Sequence, residues 1–148
     1  MASSQLYPRL FTVEEANDLL PALRPLVQRV SQRLDSLREK SETVIRAQRI
    51  SPSSPELMKC LQNDEAIARL IQEVKGVVDE INSYGCMCKG IEEGLVDFPC
   101  LLGGEIIFLC WRYGEESVGH WHRIEDGFAG RKPLLDAEEE GGGNVSYH

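Results

Sequence analysis

Apolar residues recur at alternating spacings of four and three through Leu23, Val27, Val30, Leu34, Leu37 and Val44, with Ser41 the one break in a heptad seam. Upstream, Thr12-Val13-Glu14-Glu15 is a capping box: the threonine side chain can accept from the third helical residue, and that residue's carboxylate answers the threonine N–H. A helix is therefore expected from Val13. Pro21 and Pro25 each remove a ladder donor and crowd the turn before them. They predict a short helix running into Leu20, a kink, and a long helix to about Arg49. Residues 51–55 read as a loop, with Ser54 as N-cap and Pro55 as first helical residue of a second helix. That helix carries the seam Leu57, Cys60, Asp64, Ile67, Ile71, Val74, Val78 and Ile81. It should end at Tyr84, with Gly85 supplying the left-handed position that follows.

Charge supports pairing the two seams as a coiled-coil-like antiparallel hairpin. Residues 22–50 hold seven Arg or Lys against three Asp or Glu, and residues 55–84 hold three against six. Leu70 and Val77 lie beside the second seam, where two helices alone leave them bare. Either the rest of the chain or a second copy must cover them, which predicts a homo-oligomer formed through the helical arms.

After Gly85 the period changes to two. Residues 86–91, 95–102, 105–113 and 118–124 read as strands separated by short turns rich in glycine and glutamate. Such connections allow only antiparallel neighbours. The expected fold is thus α+β, a helical hairpin over 13–84 followed by a small antiparallel meander over 86–124. With a loop over 125–135 these make one domain, residues 10–135. Residues 136–148 are acidic and glycine-rich and are expected to be disordered.

Composition narrows the function classes. With 24 acidic residues against 16 basic, the net charge is −8, which disfavours nucleic acid or an anionic membrane as partner. No apolar run reaches the roughly 18 residues of a membrane span. Residues 1–7 lack the basic start and apolar centre of a secretory signal. The five cysteines, an odd number, fit reduced thiols better than a disulfide framework, so a cytoplasmic location is expected.

Four motifs carry a family resemblance: Phe11-Thr12-x-Glu14-Glu15-Ala16-Asn17-x-Leu19-Leu20-Pro21; Gly94-Leu95-Val96-Asp97-Phe98-Pro99; Leu109-Cys110-Trp111-Arg112-x-Gly114-Glu115; and Trp121-His122 followed by Gly127-Phe128-Ala129-Gly130-Arg131-x-Pro133. Over about residues 10 to 135 the chain resembles the bacterial family known as domain of unknown function 2203. The resemblance implies no established activity. In that pattern position 120 need not be histidine, and Cys86 and Cys88 lie outside the signature.

Three constellations bear on chemistry. His120-Trp121-His122 on a strand puts both imidazoles on one face, where they can share a divalent metal such as zinc with Asp97, Glu125 or Asp126 as third ligand. The plainer alternative is a hydrogen-bonded pair beside an aromatic. Cys86, Cys88, Cys100 and Cys110 could hold a structural zinc, although buried cysteine is as often a small hydrophobe. Trp111, Arg112, Glu115, Glu116, His122, Asp126 and Arg131 gather around turns, with Trp121 and Phe128 near them, as a small-ligand pocket would require. Here the plainer alternative pairs Arg112 and Arg131 with Glu115 and Asp126. Pairing Tyr113 with Val118 would set Trp111 opposite His120 and Leu109 opposite His122. Cys110 and His122 would then lie on opposite faces, which argues against thiol catalysis.

Three functions follow as alternatives. The first is a homo-oligomeric domain binding a small ligand or divalent metal at its β module, with Trp111, Arg112, His122, Asp126 and Arg131 as ligand residues and His120, His122 and Asp126 as metal ligands. The second is a metal-dependent enzyme using His120 and His122. The third is an adaptor whose helical arms dock another protein.

Overall fold

The computed structural model describes residues 7–134, so the segment expected to be disordered lies outside the described residues. The elements are α1 (Val13–Gln48), α2 (Leu57–Gln62), α3 (Glu65–Ser83), β1 (Met87–Gly90), β2 (Leu95–Leu102), β3 (Glu105–Arg112), β4 (His120–His122), a 3-10 turn (Phe128–Gly130) and β5 (Lys132–Pro133). The layout is the α+β arrangement expected, a long helix followed by a five-stranded antiparallel sheet in the order β1-β2-β3-β4-β5. No helix among the described residues is long and apolar enough to cross a membrane.

The capping box at Thr12 forms with both of its hydrogen bonds, Glu15 N–H to the Thr12 hydroxyl at 3.0 Å and Thr12 N–H to the Glu15 carboxylate at 2.9 Å. Where the prolines predicted two segments, α1 is one 36-residue helix containing both Pro21 and Pro25. Each proline lies on the exposed side of the helix, where water can serve a carbonyl that has lost its donor. The second seam is broken rather than continuous. Asp64, expected within it, instead caps α3 by accepting from the Ile67 N–H at 3.0 Å, as short polar side chains do in competition with the helix ladder. Gly85 takes the left-handed conformation after Tyr84, with φ at +97°. The strand β5, within the stretch expected as loop, is only two residues long.

α1 and α3 pack along one another, with an Arg33–Glu73 ion pair across them. Together they cover one face of the sheet. Leu20, Leu23, Val27 and Val30 of α1 and Val74, Val77 and Ile81 of α3 form a single cluster with Val96, Phe98, Leu109, Trp111 and Trp121. Val77 is therefore covered within the chain, while Leu70 is half-buried.

Two long-range contacts fix α1 to the connection between β3 and β4. The Val118 N–H donates to Asn17 Oδ1 at 2.7 Å, and the Arg24 guanidinium donates to the Glu116 carbonyl. Gly94, with φ at +70°, lets the turn between β1 and β2 close on the same region. A Cβ there would stand 2.8 Å from that of Tyr113 and 3.2 Å from a methyl of Val27.

Candidate functional site

β2, β3 and β4 align Asp97 opposite Cys110 and Cys110 opposite His120, with Pro99, Phe108 and His122 forming the next row on the same face. This face points away from the helices, since Val96, Phe98, Leu109, Trp111 and Trp121 alternate with it and enter the core. The β3–β4 register differs by one residue from the sequence expectation. Cys110, not Trp111, faces His120, and Phe108, not Leu109, faces His122. The reason lies in bonds to distant partners: Val118 has given its N–H to Asn17, and Tyr113 gives its own to the Gly94 carbonyl at 2.9 Å, so the two cannot pair. A slip of one residue exchanges faces. Cys110 and His122 consequently share a face, which corrects the expectation that they are kept apart.

His122 and Asp97 are the two buried polar residues among the described residues, with 3% and 4% of their surfaces exposed. The His122 Nδ1–H donates to the Arg123 carbonyl at 2.8 Å, which leaves Nε2 facing both Asp97 carboxylate oxygens at 3.2 Å. Cys110 completes the group: one donor atom from each of Asp97, Cys110 and His122 lies within 4.8 Å of the others. Without a metal, both ring nitrogens meet acceptors and the imidazolium is the form that satisfies them. Burial opposes that charge, but the hydrogen bonds to Asp97, Cys110 and the Arg123 carbonyl outweigh it and push the His122 pKa up to about 10.

The arrangement differs from a thiol–imidazole–carboxylate relay, where thiol and carboxylate engage opposite ring nitrogens. Here Nδ1 is taken by a backbone carbonyl, and Nε2 alone remains for Asp97 and Cys110. Convergence on one nitrogen is what a shared cation demands. A second-row contact from Nδ1–H to a carbonyl is also how ligating histidines are usually oriented.

The other candidate residues are placed differently. Arg131 is held by Glu115 through two hydrogen bonds of 2.7 and 3.2 Å. Glu115 also accepts from the Arg112 N–H at 2.7 Å and, through its carbonyl, from the Trp111 indole at 3.0 Å. Burial opposes the Glu115 charge, but Arg131 holds its carboxyl below the ordinary value. Arg131 also interacts electrostatically with Cys110, which brings the clamp near the thiol. His120 Nδ1 lies 3.6 Å from Glu115 rather than with His122. Glu125 and Asp126 are exposed in the loop after β4. Trp111 is wholly buried in the core, and Arg112 extends over the Phe128 ring at 5.9 Å.

The four cysteines do not gather. Cys88 pairs with Val96 on the core side, Cys86 and Cys100 join the core cluster, and Cys110 alone faces the other way. Burial pushes the Cys86 thiol up to about 11 and the Cys100 thiol up to about 12, so both behave as small hydrophobes.

Asp97, Cys110 and His122 border a cavity of about 500 Å³. Leu95, Phe108, Ile124 and Phe128 wall it, with Lys89 and Glu93 contributing its other charged groups. Of these six, Phe128 alone was expected beside a pocket, and Leu95 stood only within the Gly94–Pro99 motif. The clearest signal in the sequence was Asp97, the one charged residue in the apolar run 95–102.

The model of a family described as an uncharacterized conserved protein, DUF2203, matches residues 9–134. The chain belongs to the DUF2203 family. No curated protein and no solved structure matches it. The family match covers both the helices and the sheet, including all three residues of the Asp97–Cys110–His122 group.

Proposed function

We propose that this DUF2203 protein binds a divalent metal, zinc by its donor set, through Asp97, Cys110 and His122, and that the fourth coordination position opens on the adjoining cavity. The observation behind this reading is the meeting of three different donor types from three neighbouring strands in a buried place. Donor atoms around a tetrahedral zinc lie roughly 3.3 to 3.8 Å apart, given bonds of about 2.0 to 2.3 Å. The Asp97–His122 separation of 3.2 Å is close to this range, and the 4.8 Å bound for the group calls for a contraction of about 1 Å at most to reach its upper limit. A thiolate with an imidazole suits zinc better than magnesium or calcium, which prefer oxygen. Three protein ligands and one open position are the arrangement of zinc sites that exchange a ligand.

Zinc entry would displace the proton held at His122 Nε2 and that of the thiol, so binding should strengthen as pH rises. Elemental analysis of untagged protein is expected to find about one zinc per chain, from the donor count alone. Cys110→Ala and His122→Ala should each abolish retention after dialysis, while His120→Ala and Asp126→Ala retain it. Loss of zinc in His120→Ala with retention in Cys110→Ala would move the site to the His120 side and overturn this assignment.

The same reading includes self-association through the arms. Among the described residues nothing between Val30 and Ile67 is buried, yet Leu34, Leu37 and Val44 continue the seam there and Met58 is 63% exposed. A second copy brings both an apolar strip and the opposite charge bias of α1 and α3. Sedimentation should give a mass above one chain, and a species of 16.6 kDa at micromolar concentration would rule the association out. A cytoplasmic setting accords with a thiolate ligand and further unpaired thiols. The acidic balance of the chain argues against nucleic acid as partner.

A further inference from the structure

The geometry of the cavity points to its ligand class: we infer that it takes a small carboxylate with an apolar body, the carboxylate directed toward the Phe108 ring, where Lys89 and the Asp97–Cys110–His122 group meet. This rests on the proposed metal site for the inner anchor, and on the cavity itself for the rest.

The charges in the cavity are unequally placed. Lys89 extends its ammonium over the Phe108 ring, 5.6 Å from the centroid, and the His122 ring meets the same Phe108 edge-on at 5.6 Å. The ammonium thus shares one aromatic ring with the metal group, and no ion pair within 4.0 Å occupies it among the described residues. Glu93 is turned the other way. Its carboxylate folds against the turn between β1 and β2, where a Cβ on Gly90 would fall 2.6 Å from one of its oxygens. Lys89 is exposed on β1, so positive charge stands over Phe108, the ring it shares with His122, and negative charge lies against the turn. A metal held by one thiolate, one carboxylate and a neutral imidazole adds no net charge, so Lys89 sets the preference for an anion.

The outer part of the cavity calls for an apolar body. Ile124 is 47% and Phe128 37% exposed at this cavity, an unusual placement for large apolar side chains unless something covers them. Two cations already lie over the Phe128 ring, Arg131 at 4.6 Å and Arg112 at 5.9 Å. Phe128 is thereby held in place rather than free to fold inward. A volume of about 500 Å³ admits a molecule of ten to fifteen non-hydrogen atoms, within the usual range of small-ligand sites.

The probe is 3-phenylpropanoate, compared with the neutral alcohol 3-phenylpropanol, by calorimetric titration of the full chain with zinc content measured on the same samples. The acid should bind at least tenfold more tightly than the alcohol. Lys89→Gln should weaken the acid about tenfold and leave the alcohol and the zinc content unchanged. Phe128→Ala should weaken both. Equal affinity for acid and alcohol, or acid binding indifferent to Lys89→Gln, would overturn the carboxylate assignment even if zinc is present. If the chain holds no zinc but Lys89-dependent acid binding persists, the metal reading fails and the ligand class stands. Absence of both zinc and acid binding defeats the two together.

Discussion

Asp97→Ala should destabilise the metal-stripped protein by about 3 to 5 kcal/mol at neutral pH, the usual effect of removing one partner of a buried ion pair. Asp97 and His122 are almost wholly buried and lie 3.2 Å apart, so the variant leaves an imidazolium with one acceptor instead of two. The pH dependence gives the same pair a second signature. The His122 pKa is raised from its ordinary 6.5 to about 10 in the folded chain. Its stabilising contribution is therefore complete below pH 6.5 and is lost as pH rises through about 10. Urea denaturation of chelator-treated wild type should show stability declining across that window, and Asp97→Ala should flatten the decline. A loss below 1 kcal/mol together with an unaltered slope would mean that the pair is not held as described. Asp97→Asn is the control for volume, since it keeps the shape and removes the charge.

Trp111→Ala is expected to destabilise by about 3 to 5 kcal/mol, as large aromatic deletions in cores do. Its indole is wholly buried on the helix-covered face, and its N–H bonds the Glu115 carbonyl. Two indoles make an internal comparison. Trp121 is equally deep, but its N–H has no hydrogen-bond partner among the described residues. Trp111→Phe should therefore lose about 1 to 3 kcal/mol, because it orphans a carbonyl as well as removing volume, whereas Trp121→Phe should be clearly milder. Thermal denaturation of the two variants side by side makes the test. Equal losses would show that the Glu115 hydrogen bond does not matter. Since Glu115 also clamps Arg131 near Cys110, Trp111→Phe should reduce zinc retention as well, and Trp121→Phe should not.

Local signals in the sequence carried most of the fold. The capping box at Thr12, the glycine after Tyr84 and the two-residue period after Gly85 each depend on neighbours along the chain, and each lies where the spacing placed it. What escaped depends on distant partners. The β3–β4 register is set by Asn17, about a hundred residues upstream, which takes the Val118 N–H and so prevents the tighter turn. That one-residue difference is why Cys110 and His122 seemed to lie on opposite faces. His122 and Asp97 could be named from sequence, but their meeting with Cys110 could not. Asp64 shows the same limit on a smaller scale, since its position fits a seam and a cap equally well until the packing of α3 selects one.

The depth of burial along the helices divides them sharply. Val30 is the last buried side chain of α1 and Leu34 the last packed against the core cluster, so the 14 residues of α1 beyond Leu34 project from it. At the standard rise they reach about 21 Å. Their length is free of the packing that fixes the sheet, and whole turns could be added or removed there without disturbing Asp97, Cys110 or His122. In an assembly joined at the tips, such an arm acts as a ruler, and the number of its turns sets the spacing between one cavity and the next.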